Sequence, residues 1–134
     1  MKLNKHLLLT YVVVIIGFLM DRISKIVAEE ILINQFVDFG LLRFDLVYNT
    51  GAAYGIFQNS THILLGVGIV VILYLIVMLP KFVCSKIDIV SYGVILAGAI
   101  GNTWDRLFYG KVIDFINIQI IPVFNIADML LNII

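Results

Sequence analysis

Two aspartates in apolar stretches are the residues whose type and position most clearly suggest chemistry. Asp114 has two apolar residues on each side, and Asp128 lies within an apolar run near the end of the sequence. Two carboxylates in one dry site cannot both ionise, because repulsion and desolvation raise one pKa until the pair holds a single proton. The charged member can then activate water while the neutral member protonates a carbonyl oxygen, as in aspartic proteases. The structural alternative is that each aspartate caps a helix or pairs with Arg106 or Lys25.

The composition indicates where the elements that position this pair must lie. Apolar residues make up 62% of the 134 residues and charged residues 13%, with nine basic and nine acidic side chains. An ordinary soluble domain carries roughly 25% charged residues, disorder requires low hydrophobicity, and a nucleic-acid binder shows clustered Lys and Arg. All three classes are excluded, and no nucleic-acid partner is expected. The single cysteine and two histidines lack metal-ligand spacing, so no metal is expected.

Four apolar stretches predict helices that hold the pair in a lipid bilayer. A hydrocarbon core of ~30 Å needs roughly 20 helical residues. We place the spans at about 4–20, 63–79, 89–104 and 121–134. In the third span Ala97 and Gly101 lie four residues apart with Gly98 beside them, which predicts close helix packing. The sequence therefore predicts a mainly α membrane protein with four transmembrane helices in a single domain, residues 1–134.

The first and fourth spans each leave a question open. The first resembles the apolar region of a signal peptide, but Asp21 and Arg22 follow it without a small-residue cleavage site, which favours a retained anchor. The fourth is short, since the six residues after Asp128 give about 9 Å of helix. Either the sequence is truncated or a short helix suffices.

The lysines predict the orientation, because cytoplasmic loops are enriched in Lys and Arg. Those that precede the first span or separate the second from the third are Lys2, Lys5, Lys81 and Lys86. Both termini are therefore expected in the cytoplasm. Segments 21–62 and 105–122 then share the outer face, and the active site is expected near the extracytoplasmic leaflet.

The long outer segment shows two different periodicities. Apolar residues first recur with the spacing of a helix, either a continuation of the first span or a separate interfacial helix, at Ile23, Ile26, Val27 and Ile31. They then alternate as in a half-buried strand, at Leu42, Phe44, Leu46 and Tyr48. We therefore expect a small extracytoplasmic β-sheet cradle from segment 36–57, with the interfacial helix or the helix extension beside it.

Four blocks of the sequence resemble, in order, the motifs of the lipoprotein signal peptidases, also called signal peptidase II. The family patterns are D-x-x-[ST]-K, N-x-G-A-A-F-G, G-A-x-G-N-x-x-D-R followed by G-x-V-x-D-F, and F-N-x-A-D. The matching blocks are Asp21-Arg22-Ile23-Ser24-Lys25, Asn49-Thr50-Gly51-Ala52-Ala53-Tyr54-Gly55, Gly98-Ala99-Ile100-Gly101-Asn102-Thr103-Trp104-Asp105-Arg106 with Gly110 and Val112-Ile113-Asp114-Phe115, and Phe124-Asn125-Ile126-Ala127-Asp128. Each block alone is weak, but four in order across residues 21–128 are specific. Tyr54 stands where the pattern has Phe and keeps the aromatic ring.

The resemblance implies an aspartic endopeptidase of the bacterial cytoplasmic membrane. Its substrates are prolipoproteins with a diacylglyceryl group on the cysteine after the cleavage site, and it cuts just before that cysteine. By the matching motifs Asp114 and Asp128 are the catalytic pair. The other implied substrate-binding or site-supporting positions are Asn49, Gly51, Asn102, Arg106, Asn125, Asp21 and Lys25. The family needs no metal or organic cofactor. We expect membrane lipids as further partners and a monomeric protein.

Several roles stay open at this point. Arg106 either pairs with Asp105 or Asp21 or contacts lipid phosphates, and Lys25 either bridges to a lipid head group or snorkels. The asparagines of the last two blocks either orient a carboxylate or satisfy helix-end groups. A different functional class is a non-catalytic membrane protein, such as a small transporter subunit or lipid-binding scaffold, whose aspartates line a polar path. A transporter would show internal symmetry or broken helices, and the sequence shows neither.

Overall fold

The protein is mainly helical, with one small sheet. The structure, a computed structural model, describes residues 4–132. Its elements are α1 (Lys5–Leu32), β1 (Val37–Asp38), β2 (Arg43–Asn49), a 3-10 turn (Ala53–Gly55), α2 (Thr61–Phe82), α3 (Lys86–Tyr109), β3 (Val112–Asn117) and α4 (Ile126–Leu131). Helices α1, α2 and α3 are long and apolar enough to cross a membrane. Lys2 and the last two residues of the predicted fourth span lie outside the described residues.

Helix α1 is longer than the predicted first span. It begins after Asn4, whose side chain accepts a hydrogen bond from the backbone nitrogen of His6, and it continues without a break to Leu32. The charged residues after position 20 do not end it, because Asp21 and Lys25 are buried and paired. The helical periodicity beyond position 20 therefore belongs to an extension of α1, and the separate interfacial helix is wrong.

Helix α3 packs closely against α1 and α4. An added Cβ at Gly17 of α1 would lie 2.8 Å from the Cβ of Ala97, and one at Gly98 would lie 2.5 Å from the backbone oxygen of Ala127. The close packing predicted from the small residues of the third span is therefore confirmed. The apolar core around this contact consists of Val14, Leu79, Val83, Ile89, Leu96, Ala97 and Leu130.

The sheet is antiparallel, in the order β1-β2-β3. Because β2 pairs with β3, segments 21–62 and 105–122 meet on one face of the molecule, as predicted. The pairing Phe44↔Ile116 is followed by Val47↔Asp114, so β2 carries one extra residue, a β-bulge. Before the bulge Phe44 packs towards the end of α1. Beyond it the predicted alternation is lost, because the bulge changes which face each side chain occupies.

The fourth helix differs from its prediction. Residues 121–125 are not helical, and Phe124 instead forms a β-bridge with Ile116. Helix α4 begins at Ile126, after the N-cap residue Asn125, and its six residues correspond to about 9 Å. The described part of α4 is thus too short to cross a bilayer. Its Leu130 packs into the core between the helices.

Candidate active site

Asp114 on β3 and Asp128 on α4 line the same cavity, whose volume is about 540 Å³. Asn49, Asn102 and Arg106 also line it. These five predicted site residues come from β2, α3, β3 and α4, so the cavity exists only where the sheet meets the helices. The structure therefore brings the two aspartates together although they belong to separate elements.

Asn125 joins the two aspartates. Its Nδ2 lies 2.6 Å from Asp114 Oδ1, and its Oδ1 accepts a hydrogen bond from the backbone nitrogen of Asp128 at 2.9 Å. Asp128 Oδ2 in turn accepts from the backbone nitrogen of Asn125 at 3.2 Å, which completes a capping box at the start of α4. Asn125 and Asp128 therefore satisfy helix-end groups, as the structural alternative proposed, and also lie within the candidate site.

Two more asparagines donate to the carboxylates. Asn102 Nδ2 lies 2.7 Å from Asp128 Oδ1, while its own Oδ1 accepts from Asn125 at 3.1 Å. Asn49 Nδ2 lies 3.3 Å from Asp114 Oδ2. Asn49 follows the bulge in β2, and such irregularities re-aim side chains beside functional sites. Each aspartate therefore accepts from side-chain or backbone amides on both of its oxygens.

The environment of Asp114 favours its neutral form. Only 2% of the residue is exposed, and this burial, followed by the negative charge of Asp128, raises the pKa of Asp114 to about 7. Hydrogen bonds from Asn49 and Asn125 and the charge of Lys25 act in the opposite direction. Asp114 can therefore hold or release a proton near neutral pH.

The segment after β2 contacts Arg106 at the edge of the cavity. The Arg106 guanidinium donates a hydrogen bond to the backbone oxygen of Gly51 at 3.3 Å. A Cβ at Gly51 would lie 2.8 Å from the backbone oxygen of Ile56, so the turn requires glycine. Tyr54 lines the cavity and has a φ of +59°, a conformation that non-glycine residues seldom adopt.

The predicted pairing of Arg106 with Asp105 or Asp21 is wrong. Those two carboxylates instead contact Arg22 and Lys25 of α1. We call this group of four residues, Asp21, Arg22, Lys25 and Asp105, the buried ion cluster. The alternative in which Arg106 contacts lipid phosphates stays a prediction.

Lys25 is fully buried, so neither of its predicted roles at the lipid surface is correct. Its Nζ lies 2.8 Å from Asp21 Oδ2 and 2.7 Å from Asp105 Oδ2. It also donates to Asn102 Oδ1 at 3.3 Å. The ion cluster thus contacts the asparagine that donates to Asp128.

Sequence reasoning missed three residues of this region. Arg22 and Asp105 were not predicted as site residues, although charged residues within membrane helices usually pair with one another. Asn132 also lines the cavity. It lies four residues after Asp128, a spacing that places two side chains on the same face of a helix.

The fold and cavity define a polytopic membrane protein with paired carboxylates, and the comparisons with known proteins agree with that class. The family model described as Signal peptidase (SPase) II matches residues 13–133. Curated lipoprotein signal peptidases are similar over most of both chains. The protein of Caldicellulosiruptor bescii is 35% identical, covering 91% of this chain and 82% of its own. That of Clostridium acetobutylicum is 39% identical, with coverages of 87% and 82%.

Two solved structures of bacterial membrane enzymes, both determined by the in meso method, share the fold. One has a TM-score of 0.83 at 29% identity and covers 92% of this chain and 80% of its own. The other has a TM-score of 0.77 at 27% identity, with coverages of 92% and 85%. The chain belongs to the signal peptidase II family.

Proposed function

We propose that this protein is a membrane-embedded aspartic endopeptidase that removes the signal peptide from prolipoproteins, cutting just before a diacylglyceryl-modified cysteine. Family membership supports the peptidase activity and the prolipoprotein substrates, and it disfavours a non-catalytic transporter subunit or lipid-binding scaffold. One observation carries the aspartic mechanism: Asp114 and Asp128 line one cavity and are bridged by Asn125.

The reaction uses the two carboxylates in different protonation states. The ionised aspartate draws a proton from water, the water attacks the scissile carbonyl, and the neutral aspartate protonates the carbonyl oxygen. The resulting gem-diol collapses as the first aspartate gives its proton to the leaving amine and the second takes one from a gem-diol hydroxyl, which restores both starting states. Burial of Asp114, with its pKa raised to about 7, supports a pair that holds one proton at neutral pH. The two carboxylates titrate as a unit.

The polar residues around the pair have supporting roles. Asn102, Asn125 and Asn49 donate to the carboxylates and orient them for water attack. Arg106 reaches the backbone of Gly51, at the end of the sheet. In this proposal it joins the catalytic cavity to the cradle that holds the extended substrate.

The arrangement of elements supports an orientation with the N-terminus and the α2–α3 turn in the cytoplasm. Lys5, Lys81 and Lys86 lie at the ends of the long helices away from the sheet, and cytoplasmic ends are rich in lysine. The sheet and the catalytic cavity then lie near the extracytoplasmic leaflet of the bacterial cell membrane. In this proposal α4 enters that leaflet as a short fourth membrane helix, residues 1–134 form one domain, and a monomer surrounded by lipid is the active unit.

Single Asp114→Asn and Asp128→Asn changes test the catalytic pair. Each removes the group that must gain or lose a proton, so each should reduce processing of a diacylglyceryl prolipoprotein by at least about 10³-fold. The assay measures the loss of signal peptide by purified protein in detergent micelles. Asp88→Asn changes an aspartate in the first turn of α3, at the opposite end of that helix from the cavity; it is the matched control and should process at the parent rate. Parent-rate processing by both site variants would falsify the assignment.

The lipid dependence is tested with precursor that lacks the diacylglyceryl group. An enzyme with its cavity at the membrane surface should use the acyl chains to place the scissile bond, so the unmodified precursor should be cleaved at least about 10-fold more slowly. Equal cleavage of both precursors by the same preparation rules out the lipid-dependent part of the proposal.

A further inference from the structure

The residue immediately before each catalytic aspartate donates its backbone N–H to another carboxylate. Asp105 Oδ2 on α3 accepts a hydrogen bond from the backbone nitrogen of Ile113 at 3.2 Å. Asp21 Oδ1 on α1 accepts one from the backbone nitrogen of Ala127 at 2.9 Å. In both cases the next residue along the chain is one of the two catalytic aspartates. The two contacts therefore fix the backbone one residue before each reactive side chain.

These two holding carboxylates are linked by the same pair of cations. Lys25 lies within 2.8 Å of both, and the guanidinium of Arg22 also contacts both. Two positive and two negative charges cancel, so every charge in the cluster has a partner. A buried ion pair with all partners present resists displacement, because loss of one partner leaves an uncompensated charge. The cluster therefore fixes a point on β3 relative to a point on α4.

A third contact from the cluster ends at the same site. Lys25 donates to Asn102 Oδ1. The amide of Asn102 therefore presents its oxygen to Lys25 and its Nδ2 to Asp128. The three contacts from the cluster therefore all end at residues that adjoin the catalytic pair or donate to it, which joining the helices alone would not require.

We propose that Asp105 and Asp21 are positioning residues: joined through the two cations of the cluster, they set the separation of the catalytic carboxylates. This inference rests on the proposed aspartic mechanism. It assigns a role in the reaction to Asp105 and Arg22, which are not among the residues that line the cavity.

Asp105→Asn in the full chain tests the proposal. Asparagine keeps an oxygen that can accept from Ile113 but loses the charge that pairs with Lys25 and Arg22, so the backbone before Asp114 is no longer fixed relative to the cations of α1. With diacylglyceryl prolipoprotein as substrate, kcat should fall about 10–100-fold, as displacement of a reacting group by ~1 Å does. KM should stay within about 3-fold of the parent, because substrate contacts are unchanged. Asp88→Asn makes the same substitution at the other end of the same helix and should leave both constants unchanged.

The pH dependence of kcat separates altered geometry from loss of charge. The charged groups that act on the pair are Lys25 and Asp21 from α1 and Arg106 from α3. Asp105 lies behind them and pairs with Lys25. Loss of one negative charge shifts both limbs of a bell-shaped profile to lower pH. A wider separation of the two carboxylates weakens their repulsion, so the two apparent pKa values of the pair move closer together. The bell-shaped pH profile of kcat then becomes narrower. If Asp105 has a purely structural role, its substitution lowers the height of the pH profile in proportion to the folded fraction and leaves the width of the profile unchanged.

The possible outcomes distinguish the two proposals. The positioning role is overturned if the folded Asp105→Asn variant has the parent kcat. It is also overturned if the width of its pH profile equals that of the parent and its activity falls only in proportion to the loss of folded protein. If that variant is not recovered folded, Arg22→Gln replaces it, since the Arg22 side chain is 12% exposed. The Arg22→Gln variant should have a kcat several-fold below that of the parent and an unchanged KM. If its kcat equals that of the parent, the inference is overturned. Asp114→Asn is measured alongside, because its processing at the parent rate would refute the aspartic mechanism itself.

Discussion

At the scale of single residues, the burial that raises the pKa of Asp114 also destabilises the folded protein at neutral pH. A free aspartate has a pKa of ~3.9, whereas burial raises that of Asp114 to about 7 in the folded protein. Below about pH 4 both states hold the proton. Between about pH 4 and 7 the unfolded chain ionises while the folded protein keeps its proton, so stability falls as the pH rises. Above about pH 7 this loss is complete.

Asp114→Asn should therefore stabilise the protein while it abolishes processing. Asparagine does not titrate, so the gain over the parent should be larger at pH 8 than at pH 5 and should reach at most about 4 kcal/mol, the equivalent of about three pKa units. Thermal unfolding in detergent at the two pH values measures it. A variant that is less stable than the parent at pH 8 contradicts the idea that burying this carboxylate carries an energetic penalty.

The sequence predicts the members of the site better than it predicts their partners. Apolar surroundings single out Asp114 and Asp128, and the motifs add the asparagines that contact them. Whether Lys25 snorkels or is buried depends on which helix lies opposite, and that information is absent from local sequence. Asp105 on α3 supplies the counter-charge, so the lysine stays inside.

At the scale of elements, the contact between α3 and α4 sets the position of Asp128. Gly98→Ala would place a Cβ 2.5 Å from the backbone oxygen of Ala127, so α4 must move away from α3. We expect kcat to fall at least about 10-fold and stability to fall by about 1–3 kcal/mol. Prolipoprotein processing and thermal unfolding measure the two effects.

Gly66→Ala is the matched control for this change. Gly66 lies within the membrane helix α2, and no neighbouring atom lies within 4 Å of its added Cβ. Its activity should equal that of the parent. If Gly98→Ala also keeps the parent kcat and unfolding temperature, the α3–α4 contact does not control the site.

The elements themselves differ in how well the sequence predicts them. Long apolar runs predict α2 and α3 to within a few residues, because burial in lipid leaves few alternatives to a helix. The end of α1 and the start of α4 are decided by tertiary contacts. Buried ion pairs allow α1 to continue past position 20, and the bridge from Phe124 to Ile116 keeps the residues before Asn125 extended. The bulge in β2 depends on its pairing with β3, which no single strand encodes.

At the scale of the whole molecule, the charged residues, whose formal charges sum to zero, are concentrated at two opposite ends of the protein. Lysines gather where α2 meets α3, while the ion cluster and the catalytic pair lie towards the sheet. Cys84 lies in the α2–α3 turn and is exposed, so it reports directly on which side that turn faces. Leu41, between β1 and β2, is 85% exposed and reports on the opposite end.

Labelling of intact cells with a membrane-impermeant maleimide tests this orientation. The parent Cys84 should react only after the membrane is permeabilised, because the positively charged end stays in the cytoplasm. In a Cys84→Ser background, Leu41→Cys should react before permeabilisation, and Cys84→Ser alone should give no signal. Reaction of Cys84 from outside would invert the topology and place the catalytic cavity at the cytoplasmic leaflet. A lipid-modified precursor whose cleavage region lies at the outer leaflet could not reach it there, so the orientation and the proposed substrate must hold together.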